Sequence, residues 1–532
     1  MQYDVIIVGA GSAGCVLAAR LSADPGRSVL LLEAGADYPA MLGLPEVLKY
    51  GHTRAAEAQD SPHNWALTGT ITRLQRPIHV AQGKVVGGSG AINGQVMLRG
   101  LLEDFESWAA WGNDAWSYRQ VLPYFRNMET DLDIRDDFHG ADGPIPVLRR
   151  QQEPWPAIQA ALHQAALALG FPADPDMNGP ESGGVGAIPM NNPDGIRMST
   201  ALTHLNTARH RLNLTIKSNI LARRILFEGT RAIGVEVESG GEVFVVAGEE
   251  IILSAGGLKS PHLLMLSGIG PAQELRGMGV PLLHPLPGVG QNLRNHPIAS
   301  VSMRVKEGVD LIPDNRGTRI ALRYTASGSS TRNDIMIMTN AIYSPLSGDV
   351  LPERTIRFSC ALELPTGAGE LHLACTDPHV QPHFNYRYLE DPWDRQRLRE
   401  AIRLCLRLAE QKTYRDIIAA RIAPTGQELA SDDALDTWLL KTVGTARHIS
   451  GTCKMGPASD PMAVVDQYGR VHGVEGLRVV DGSILPHVTR ANTHATIIMV
   501  AERIAEWIGS GAGSAAIASP LGRGRNSSDQ ET

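Results

Sequence analysis

Three glycines near the start of the chain, Gly9, Gly11 and Gly14, have the spacing G-x-G-x-x-G. In this motif the first glycine makes a tight turn, the second lets a pyrophosphate approach the backbone, and the third lets a helix pack closely against a strand. Glu33 follows about 20 residues later, where a carboxylate can accept both ribose hydroxyls of an adenosine. The spacing predicts a dinucleotide site and leaves open whether the dinucleotide is NAD(P) or FAD.

The segments around these glycines have the pattern of a β-α-β unit. Val5 to Val8 is an unbroken apolar run, which is typical of a strand buried on both faces of a parallel sheet. Ala13 to Leu21 predicts a helix, whose N-terminus would offer free N–H groups and a positive dipole end to phosphates. Ser28 to Leu32 predicts a second buried strand that ends at Glu33. This is the context that the glycine motif requires.

A second glycine-rich stretch runs from Gln82 to Gly94. Such glycine density suits backbone that is pressed against a flat ligand, and a flexible loop is the alternative. The apolar residues before the glycines and the apolar run Val96 to Leu98 after them are typical of an ordered segment. The stretch is therefore a candidate for ligand contact.

Motifs of three other enzyme classes, G-x-S-x-G, H-E-x-x-H and G-x-x-x-x-G-K-[ST], do not occur in the sequence. The remaining candidate for chemistry is the histidine-bearing segment Arg447 to Gly456. An imidazole is the usual acceptor of a proton from a reacting group, because its ordinary pKa is near neutrality. Most of the 17 histidines are expected to be structural.

Composition bounds the class of protein. The 532 residues are 43% hydrophobic and suggest two or more structural domains, and a net charge of −7 argues against binding to nucleic acid or to an anionic membrane. The five cysteines are scattered without a C-x-x-C pair, which argues against a disulfide framework or a zinc site. Neither a signal peptide nor a membrane-spanning run of about 18 apolar residues is predicted from the sequence. We expect a cytoplasmic protein without a transmembrane segment, and peripheral membrane contact is compatible with these features.

The order of strands and glycine turns predicts an α/β fold, with a Rossmann-type nucleotide-binding domain and a discontinuous, mixed-sheet α+β domain that caps it. The capping segment lacks glycine turns and carries alternating strands before a strong helix. The expected segments are a nucleotide-binding domain over 1–298, with excursions at 38–76 and 150–200 toward the cap, the cap domain over 299–440, a return to the nucleotide-binding domain over 441–508, and a disordered tail over 509–532.

Two finer expectations concern the middle of the nucleotide-binding domain. Strands over residues 213–218, 231–238 and 243–247 predict a small antiparallel sheet inserted into that domain. After a buried strand over residues 250–253, a helix is expected to begin at Lys259, with a proline in its first turn.

Four features together resemble the glucose-methanol-choline (GMC) family of FAD-dependent oxidoreductases, over nearly all of the chain from Tyr3 to Trp507. The features are the opening unit that ends in Leu32 to Gly35, the stretches Gly83 to Gly94 and Ser254 to Pro271, which match two family signatures, and the C-terminal block from His448 through Asp481 to Asn492. The glycine motif alone is shared by many folds, whereas the four features in this order are highly specific.

The resemblance implies FAD as the cofactor, with its isoalloxazine ring at the interface of the two domains. The loop Gly87 to Gly94 would lie along the flavin. The cofactor-binding residues that it implies are Gly9, Gly11, Ser12, Ala13, Gly14, Glu33, Ala34, Val86, Gly87, Gly88, Asn93, Gly94, Ala222, Asp481, Gly482, Asn492 and Thr493. No metal-binding residue is expected.

The resemblance also implies the catalytic residues. In the family, the histidine of H-x-x-G-[TS]-C lies over flavin N5, and His448 has that position here. A second His or Asn follows, and counting back from the closing A-E-[RK]-I-A helix places it at Asn492 and not at His494. Oxidation of an alcohol requires its hydroxyl proton to leave, and His448 would accept that proton. Asn492 would hold the substrate oxygen by donating from its amide.

The sequence departs from the family pattern at three positions. Ile92 stands where some members carry a histidine bonded to the flavin, so FAD should be noncovalent here. Gly90 replaces a commoner serine and is expected to open space beside the ring. Asn295 stands where an aspartate is usual, and no role for it can be predicted.

The implied function is FAD-dependent oxidation of a primary or secondary alcohol by hydride transfer to flavin N5, as in the choline dehydrogenase-like branch. The electrons would pass to a quinone or respiratory-type acceptor, although no residue separates a dehydrogenase from an oxidase. Residues Asp136 to Val147 and His63 to Leu67 also resemble mycofactocin-associated members, which would reoxidise a small reduced redox carrier that feeds respiration. A lyase of this fold with structural FAD is a further hypothesis.

Overall fold

A computed structural model of the protein describes residues 2–52, 54–151, 155–309, 311, 319–342 and 354–511. The tail that was predicted to be disordered lies outside the described residues from position 512 onward. Within the described ranges, no helix combines the length and the apolar character needed to cross a membrane.

Seven strands form a first sheet. Six of them follow the order Leu214–Lys217, Val29–Leu32, Gln2–Val8, Glu242–Leu253, Arg231–Ser239 and Leu221–Glu228, and Leu477–Val479 also pairs with Glu242–Leu253. In the first strand of the chain, Val5 lies opposite Val29 on one side and Glu250 on the other, both in parallel register. Val5 to Val8 are at most 4% exposed. The strand is therefore buried on both faces, as its unbroken apolar sequence predicts.

The prediction of a small antiparallel sheet over residues 213–247 is confirmed only in part. Arg231–Ser239 and Glu242–Leu253 pair antiparallel, but they do so within the first sheet and without the strand predicted at 213–218. Leu214–Lys217 runs parallel to Val29–Leu32 and forms the edge of the first sheet. Parallel neighbours are joined by long connections, so this pairing leaves no signal in the local sequence. The strand Leu221–Glu228, which was not predicted, forms the opposite edge.

The predicted strands at 243–247 and 250–253 are one strand, Glu242–Leu253. Its first half pairs antiparallel with the preceding strand, Arg231–Ser239. Its second half runs parallel to the first strand of the chain. Gly248 interrupts the apolar sequence in the middle. A Cβ at Gly248 would lie 2.7 Å from the side chain of Ile6, so the glycine permits close packing and does not end the strand.

A second seven-stranded sheet is built mainly from the predicted cap segment. Six of its strands follow the order Ile418–Ala423, Pro297–Val305, Thr355–Leu362, Ile335–Ile342, Ile320–Tyr324 and Gly184–Ala187, and Gly444–Thr445 also pairs with Pro297–Val305. The predicted fold class is confirmed. Parallel and antiparallel pairings mix in the first sheet, whereas the pairings described in the second are antiparallel. The domain boundaries stay a prediction.

Helices cover the two sheets. The α-helices are Ser12–Leu21, Glu46–Lys49, Leu102–Ala110, Tyr118–Asn127, Ala157–Ala168, Asn206–Ala208, Gly256–Leu266, Ala272–Gly277, Pro392–Ala409, Asp432–Thr442 and Thr493–Ser510. Short two-stranded pairs are Leu67–Gly69 with Ile78–Val80, Glu129–Asp131 with Ile145–Val147, Ile269–Gly270 with His284–Pro285, and Glu370–His372 with His383–Asn385.

The helix that was expected to begin at Lys259 begins earlier, as Gly256–Leu266, so Pro261 lies inside it and not in its first turn. A proline within a helix leaves the carbonyl four residues earlier without its N–H partner. Here that carbonyl belongs to Gly257, and the Thr452 hydroxyl donates to it at 2.6 Å. The helix tolerates the proline because a side chain from another segment replaces the lost hydrogen bond.

A buried network of charges ties the strand pair Glu129–Asp131 and Ile145–Val147 to the molecule. Nδ1 of His139 lies 3.0 Å from Glu129 and 2.9 Å from Asp131, and its Nε2 lies 2.9 Å from Asp176. Burial opposes the charged ring, yet the bonds to the three carboxylates raise the pKa of His139 to about 10. A protonated imidazole has no lone pair, so His139 in this state cannot bind a metal ion. Arg99 pairs with Glu129 and Arg149 with Asp131 and Asp176, which balances the charges.

His139→Gln should lower the free energy of unfolding by about 3 kcal/mol near pH 6.5, because buried carboxylates lose their cationic partner. The folded pKa of His139 is raised, so its stabilising contribution is complete below the ordinary histidine pKa and is lost as the pH rises toward 10. Urea unfolding at several pH values should therefore show a difference between wild type and variant that shrinks from pH 7 to pH 10.

His163→Gln is the matched control, because burial lowers the pKa of His163. This variant should show no such trend above pH 7. A difference for His139→Gln that stays constant over the whole range would mean that the ring is not charged in the folded protein.

Candidate active site

A cleft opens at the carboxyl ends of the parallel strands of the first sheet. Its walls come from the turn after the first strand, the end of the second strand, the segment Ser254–Lys259 and the start of the last helix. Ligands of open α/β sheets bind at this edge. The predicted cofactor residues that line the cleft are Gly9, Gly11, Ser12, Ala13, Glu33, Ala34, Gly88, Ala222, Asp481, Gly482 and Thr493.

The turn from the first strand into the first helix depends on glycine. Gly9 has a φ of +102°, in the left-handed region, and a Cβ there would lie 2.5 Å from the carbonyl oxygen of Ser254. A Cβ at Gly14 would overlap the carbonyl oxygen of Gly9, so the helix Ser12–Leu21 can pack this closely only with a glycine. Ser12 and Ala13 of its first turn line the cleft, and the first turn of a helix offers unpaired N–H groups to a ligand.

Glu33 lies at the cleft wall with both carboxylate oxygens held by backbone donors. One oxygen accepts the N–H of Ala10 and the other accepts that of Gly35, each at 2.9 Å. Burial raises the pKa of Glu33 to about 7, although these N–H groups favour the charged form. Each oxygen has two lone pairs, so Glu33 keeps acceptors for the hydroxyl groups of a ligand. This arrangement fits the ribose of a dinucleotide.

Asp481 fixes the opposite wall of the cleft. Its Oδ2 accepts the Gly256 N–H at 2.8 Å and the Ser260 hydroxyl at 2.6 Å, and its Oδ1 accepts the Ser483 N–H at 2.8 Å. The carboxylate therefore joins the start of the helix Gly256–Leu266 to the segment that follows the strand Leu477–Val479. Its position at the cleft depends on backbone N–H groups of both segments and on the Ser260 hydroxyl.

Two basic side chains, Lys259 and Arg447, also line the cleft. Nζ of Lys259 lies 4.7 Å from the ring centroid of Trp65, and Nζ of Lys84 lies 4.9 Å from the same centroid. Burial, with a smaller effect of Lys84, lowers the pKa of Lys259 to about 8, which leaves it mostly protonated at pH 7. Cations and helix N–H groups are the partners of a pyrophosphate. The residues present therefore fit FAD.

The remaining predicted cofactor residues, Gly14, Val86, Gly87, Asn93, Gly94 and Asn492, do not line this cleft. The Val86 N–H donates to Ala36 at 3.0 Å and the Gly87 N–H to Ala10 at 2.7 Å. Oδ1 of Asn93 accepts a backbone N–H two residues later. The Gly87 bond holds the glycine-rich loop against the turn after the first strand, and the Val86 bond holds it against the segment after the second strand.

The predicted catalytic residues His448 and Asn492 are in contact, and His296 extends the group. Nδ2 of Asn492 donates to Nε2 of His448 at 3.0 Å. Nδ1 of His448 lies 2.8 Å from Nδ1 of His296, and Nε2 of His296 lies 3.0 Å from the carbonyl oxygen of Thr489. The side chains and the carbonyl form one continuous chain of hydrogen bonds.

For two neutral rings, only one arrangement of protons satisfies this chain. The Thr489 carbonyl can only accept, so Nε2 of His296 carries the proton and its Nδ1 has a lone pair. Nδ1 of His448 must then donate to that lone pair, which leaves His448 unprotonated at Nε2. Burial lowers the pKa of His296 to about 3. Burial, with His296 and Arg447, also lowers the pKa of His448 well below its ordinary value. At pH 7, His448 therefore presents a base at Nε2.

Asn295 holds the backbone of both histidines. Its Oδ1 accepts the N–H of His296 at 2.8 Å and that of His448 at 2.7 Å, and its Nδ2 donates to Oγ1 of Thr445 at 2.6 Å. Asn295 is 1% exposed, so water does not compete for these bonds. Asn295 therefore connects two histidines that are far apart in the sequence.

The expectation that Gly90 opens space beside the ring is wrong. A Cβ at Gly90 would lie 2.7 Å from Oγ of Ser12 and 2.8 Å from Cε1 of His494. His494 is buried, and its Nδ1 lies 3.1 Å from Oγ of Ser12. The glycine therefore makes room for a histidine of the last helix, and no gap is left.

Comparison with known proteins places this chain in one class, the oxidoreductases. Models of the N- and C-terminal parts of GMC oxidoreductases match residues 3–298 and 365–501. An uncharacterized GMC-type oxidoreductase in the thcA 5′ region of Rhodococcus erythropolis is 38% identical over 94% of this chain and 97% of its own length. An oxygen-dependent choline dehydrogenase of Photobacterium profundum is 35% identical over 95% of this chain and 93% of its own length.

Among solved structures, pyridoxine 4-oxidase from Mesorbium loti has a TM-score of 0.88 at 28% identity, covering 96% of this chain and 99% of that chain. The chain belongs to the GMC oxidoreductase family, as the sequence resemblance indicated. It is an FAD-dependent oxidoreductase that acts on CH–OH donors. The mycofactocin-associated subgroup and the roles of individual residues stay predictions.

Three residues of the site were missed from the sequence: Lys259, His296 and Arg447. Lys259 lies in a family signature and Arg447 directly precedes His448, so each was close to a usable signal. The position of His296 beside the unusual Asn295 was also visible. Its contact with His448 was not, because it depends on how two distant segments meet in the fold.

Asn295→Asp should move the acidic limb of the kcat/KM profile upward by roughly 1–2 pH units, because a carboxylate beside His448 stabilises its imidazolium. The substitution keeps the acceptor for both backbone N–H groups and adds one charge. Asn385→Asp, which adds the same charge in the hairpin strand His383–Asn385, should leave the limb in place. An unmoved limb in folded, FAD-bound Asn295→Asp would contradict this account of the site.

Proposed function

We propose that the protein oxidises a primary or secondary alcohol, with His448 as the general base. Bound FAD would supply a hydride acceptor at N5. The observation that carries the proposal is the 2.8 Å contact between Nδ1 of His448 and Nδ1 of His296, which assigns the His448 proton to Nδ1 and leaves a lone pair on Nε2. Hydride can leave the alcohol carbon only as the hydroxyl proton departs, and a buried neutral imidazole can take that proton.

We propose that Asn492 positions the alcohol oxygen. Its amide donates to Nε2 of His448, so the substrate hydroxyl must displace this bond in order to reach the base. After displacement the amide donor is free for the substrate oxygen. Asn492 precedes the helix Thr493–Ser510 and its side chain makes no capping bond to that helix, so the amide can turn without breaking the helix start.

We propose that FAD is held noncovalently. The support is Ile92, whose aliphatic side chain cannot form a bond to the flavin at the position where some family members carry a histidine. Ile92 is 3% exposed and packs in a small apolar cluster with Leu48 and Ala91. Glu33, Lys259 and the glycine turn would hold the cofactor through noncovalent contacts.

We also propose that the electrons pass to a quinone or respiratory-type acceptor, as the sequence resemblance implied. Oxygen is the competing acceptor, because the similar choline dehydrogenase is named as oxygen-dependent and a similar solved structure is named as an oxidase. A reduced mycofactocin-type carrier is the alternative substrate that the sequence suggested. That suggestion rested on two segments, Asp136 to Val147 and His63 to Leu67. The first contributes His139 to the buried charge network, so it supports no substrate assignment.

His448→Ala should lower kcat/KM by roughly 10²–10⁴-fold, as expected for a lost general base. His494→Gln is the control histidine, because it lies near the cleft without contact to His448 in the hydrogen-bond chain. FAD content measured by absorbance must match wild type in both variants. Turnover of His448→Ala near the wild-type value would remove His448 from the proposed role.

Turnover with an alcohol in air should reduce an added quinone faster than it consumes oxygen. The measurement is parallel oxygen-electrode and quinone-reduction assays on one preparation. Oxygen consumption that equals alcohol oxidation, with no gain from the quinone, would make the protein an oxidase and reject the proposed acceptor.

A further inference from the structure

Glu363 is a buried acidic residue that the mechanism above does not use. It follows the strand Thr355–Leu362 and is 1% exposed. Its N–H donates to the carbonyl of Asp334 at 2.8 Å, but neither carboxyl oxygen has a hydrogen-bond partner among the residues that the structure describes. A buried polar group without a partner costs free energy, and such groups are concentrated at functional sites.

The carboxyl group of Glu363 faces the histidine pair. Its Oε2 lies 3.6 Å from Nδ1 of His296. This nitrogen accepts the hydrogen bond that Nδ1 of His448 donates. This distance is too long for a hydrogen bond. It is short enough for a strong electrostatic interaction in a buried site. Glu363 therefore lies beside the proton that the two rings share.

Other charged and titratable groups around Glu363 and the histidine pair have their own partners. The groups are Asp104, Arg323, Arg447, His487 and Arg490. Arg490 pairs with Asp104 at 2.7 Å, and Arg447 pairs with Glu57. Arg323 donates to the carbonyl oxygens of Met177 and Arg490 and to Ser182. Burial is the main cause that lowers the pKa of His487, to about 3, so it stays neutral.

The charge on the histidine pair changes during the proposed reaction. The pair is neutral before the reaction and carries one positive charge once Nε2 of His448 has taken the alcohol proton. A carboxylate beside the shared proton stabilises that charge, whereas a neutral carboxyl does not. Burial raises the pKa of Glu363 to about 8, so both forms occur near physiological pH.

We propose that Glu363 is a positioning residue that sets the strength of the base: its carboxylate form, acting through His296, stabilises the proton that His448 takes from the alcohol. The inference rests on the proposed function of His448. It adds an acidic residue to the reaction, and this residue touches neither substrate nor cofactor. The ionised form of Glu363 makes the faster enzyme.

The test compares pH profiles of kcat/KM for FAD-loaded wild type and Glu363→Gln between pH 6 and pH 10. Wild type should rise through a pH of about 8, where Glu363 ionises. The variant should stay at the low-pH level of wild type and be about tenfold slower at pH 9.5. Glu363→Asp should restore the rise. Glu400→Gln, which removes a partly exposed carboxylate of the helix Pro392–Ala409, should retain it.

Thermal melting supplies a second measurement. The folded pKa of Glu363 is raised, so its stabilising contribution is present below the ordinary carboxyl pKa and is lost as the pH rises through about 8. Glu363→Gln should therefore melt at a temperature at least as high as wild type, and its advantage should grow from pH 6 to pH 9. If Glu363→Gln does not fold, the test is made on Glu363→Asp alone, whose kcat/KM must still rise near pH 8.

Three results would overturn the proposal. The first is a rise of kcat/KM near pH 8 that persists in Glu363→Gln. The second is an effect of Glu363→Gln that is confined to KM, which would make Glu363 a substrate contact. The third is a Glu363→Asp variant whose kcat/KM does not rise. Failure of the proposed function is distinguishable from these results. It would appear as wild-type turnover in His448→Ala, whatever the profile of the Glu363 variants.

Discussion

The hydrogen bond between Nδ1 of His296 and Nδ1 of His448 is the constraint on which the proposed chemistry depends. Two nitrogens at 2.8 Å can share only one proton, because two would clash and none would leave two lone pairs facing each other. Because the Thr489 carbonyl accepts a hydrogen bond from Nε2 of His296, His448 is the ring that supplies this proton. Once that choice is made, the lone pair of His448 lies at Nε2, where Asn492 donates. A single backbone carbonyl thus fixes which nitrogen can act as the base.

This arrangement requires segments that are far apart in the sequence to meet with small tolerance. His296 precedes the strand Pro297–Val305 of the second sheet, whereas His448 and Asn492 come from segments near the end of the chain. Asn295 resolves the problem locally, since one side chain holds the N–H groups of both histidines. The cleft of the first sheet is independently fixed by Glu33, Asp481 and the glycine turn. The two sheets therefore contribute different parts of one site.

The sequence was informative where the determining interactions are local. The apolar run of the first strand, the glycine turn and Glu33 are adjacent in the chain, and their structure follows from short-range packing and backbone geometry. His448 and Asn492 were identified through a family resemblance, and the structure brings them into contact. The pairing of the strand Leu214–Lys217 and the space around Gly90 were mispredicted, because long-range neighbours decide both. His296 and Glu363 escaped notice for the same reason: their chemistry lies in contacts between segments.

The most direct measurement of the central claim is anaerobic reduction of the bound flavin by a primary alcohol, followed by absorbance in a single turnover. The account predicts that the flavin band bleaches as the aldehyde forms, and that deuterium on the carbinol carbon slows the bleaching. Formation of product while the flavin stays oxidised would contradict the account, and would indicate a lyase in which FAD has a structural role.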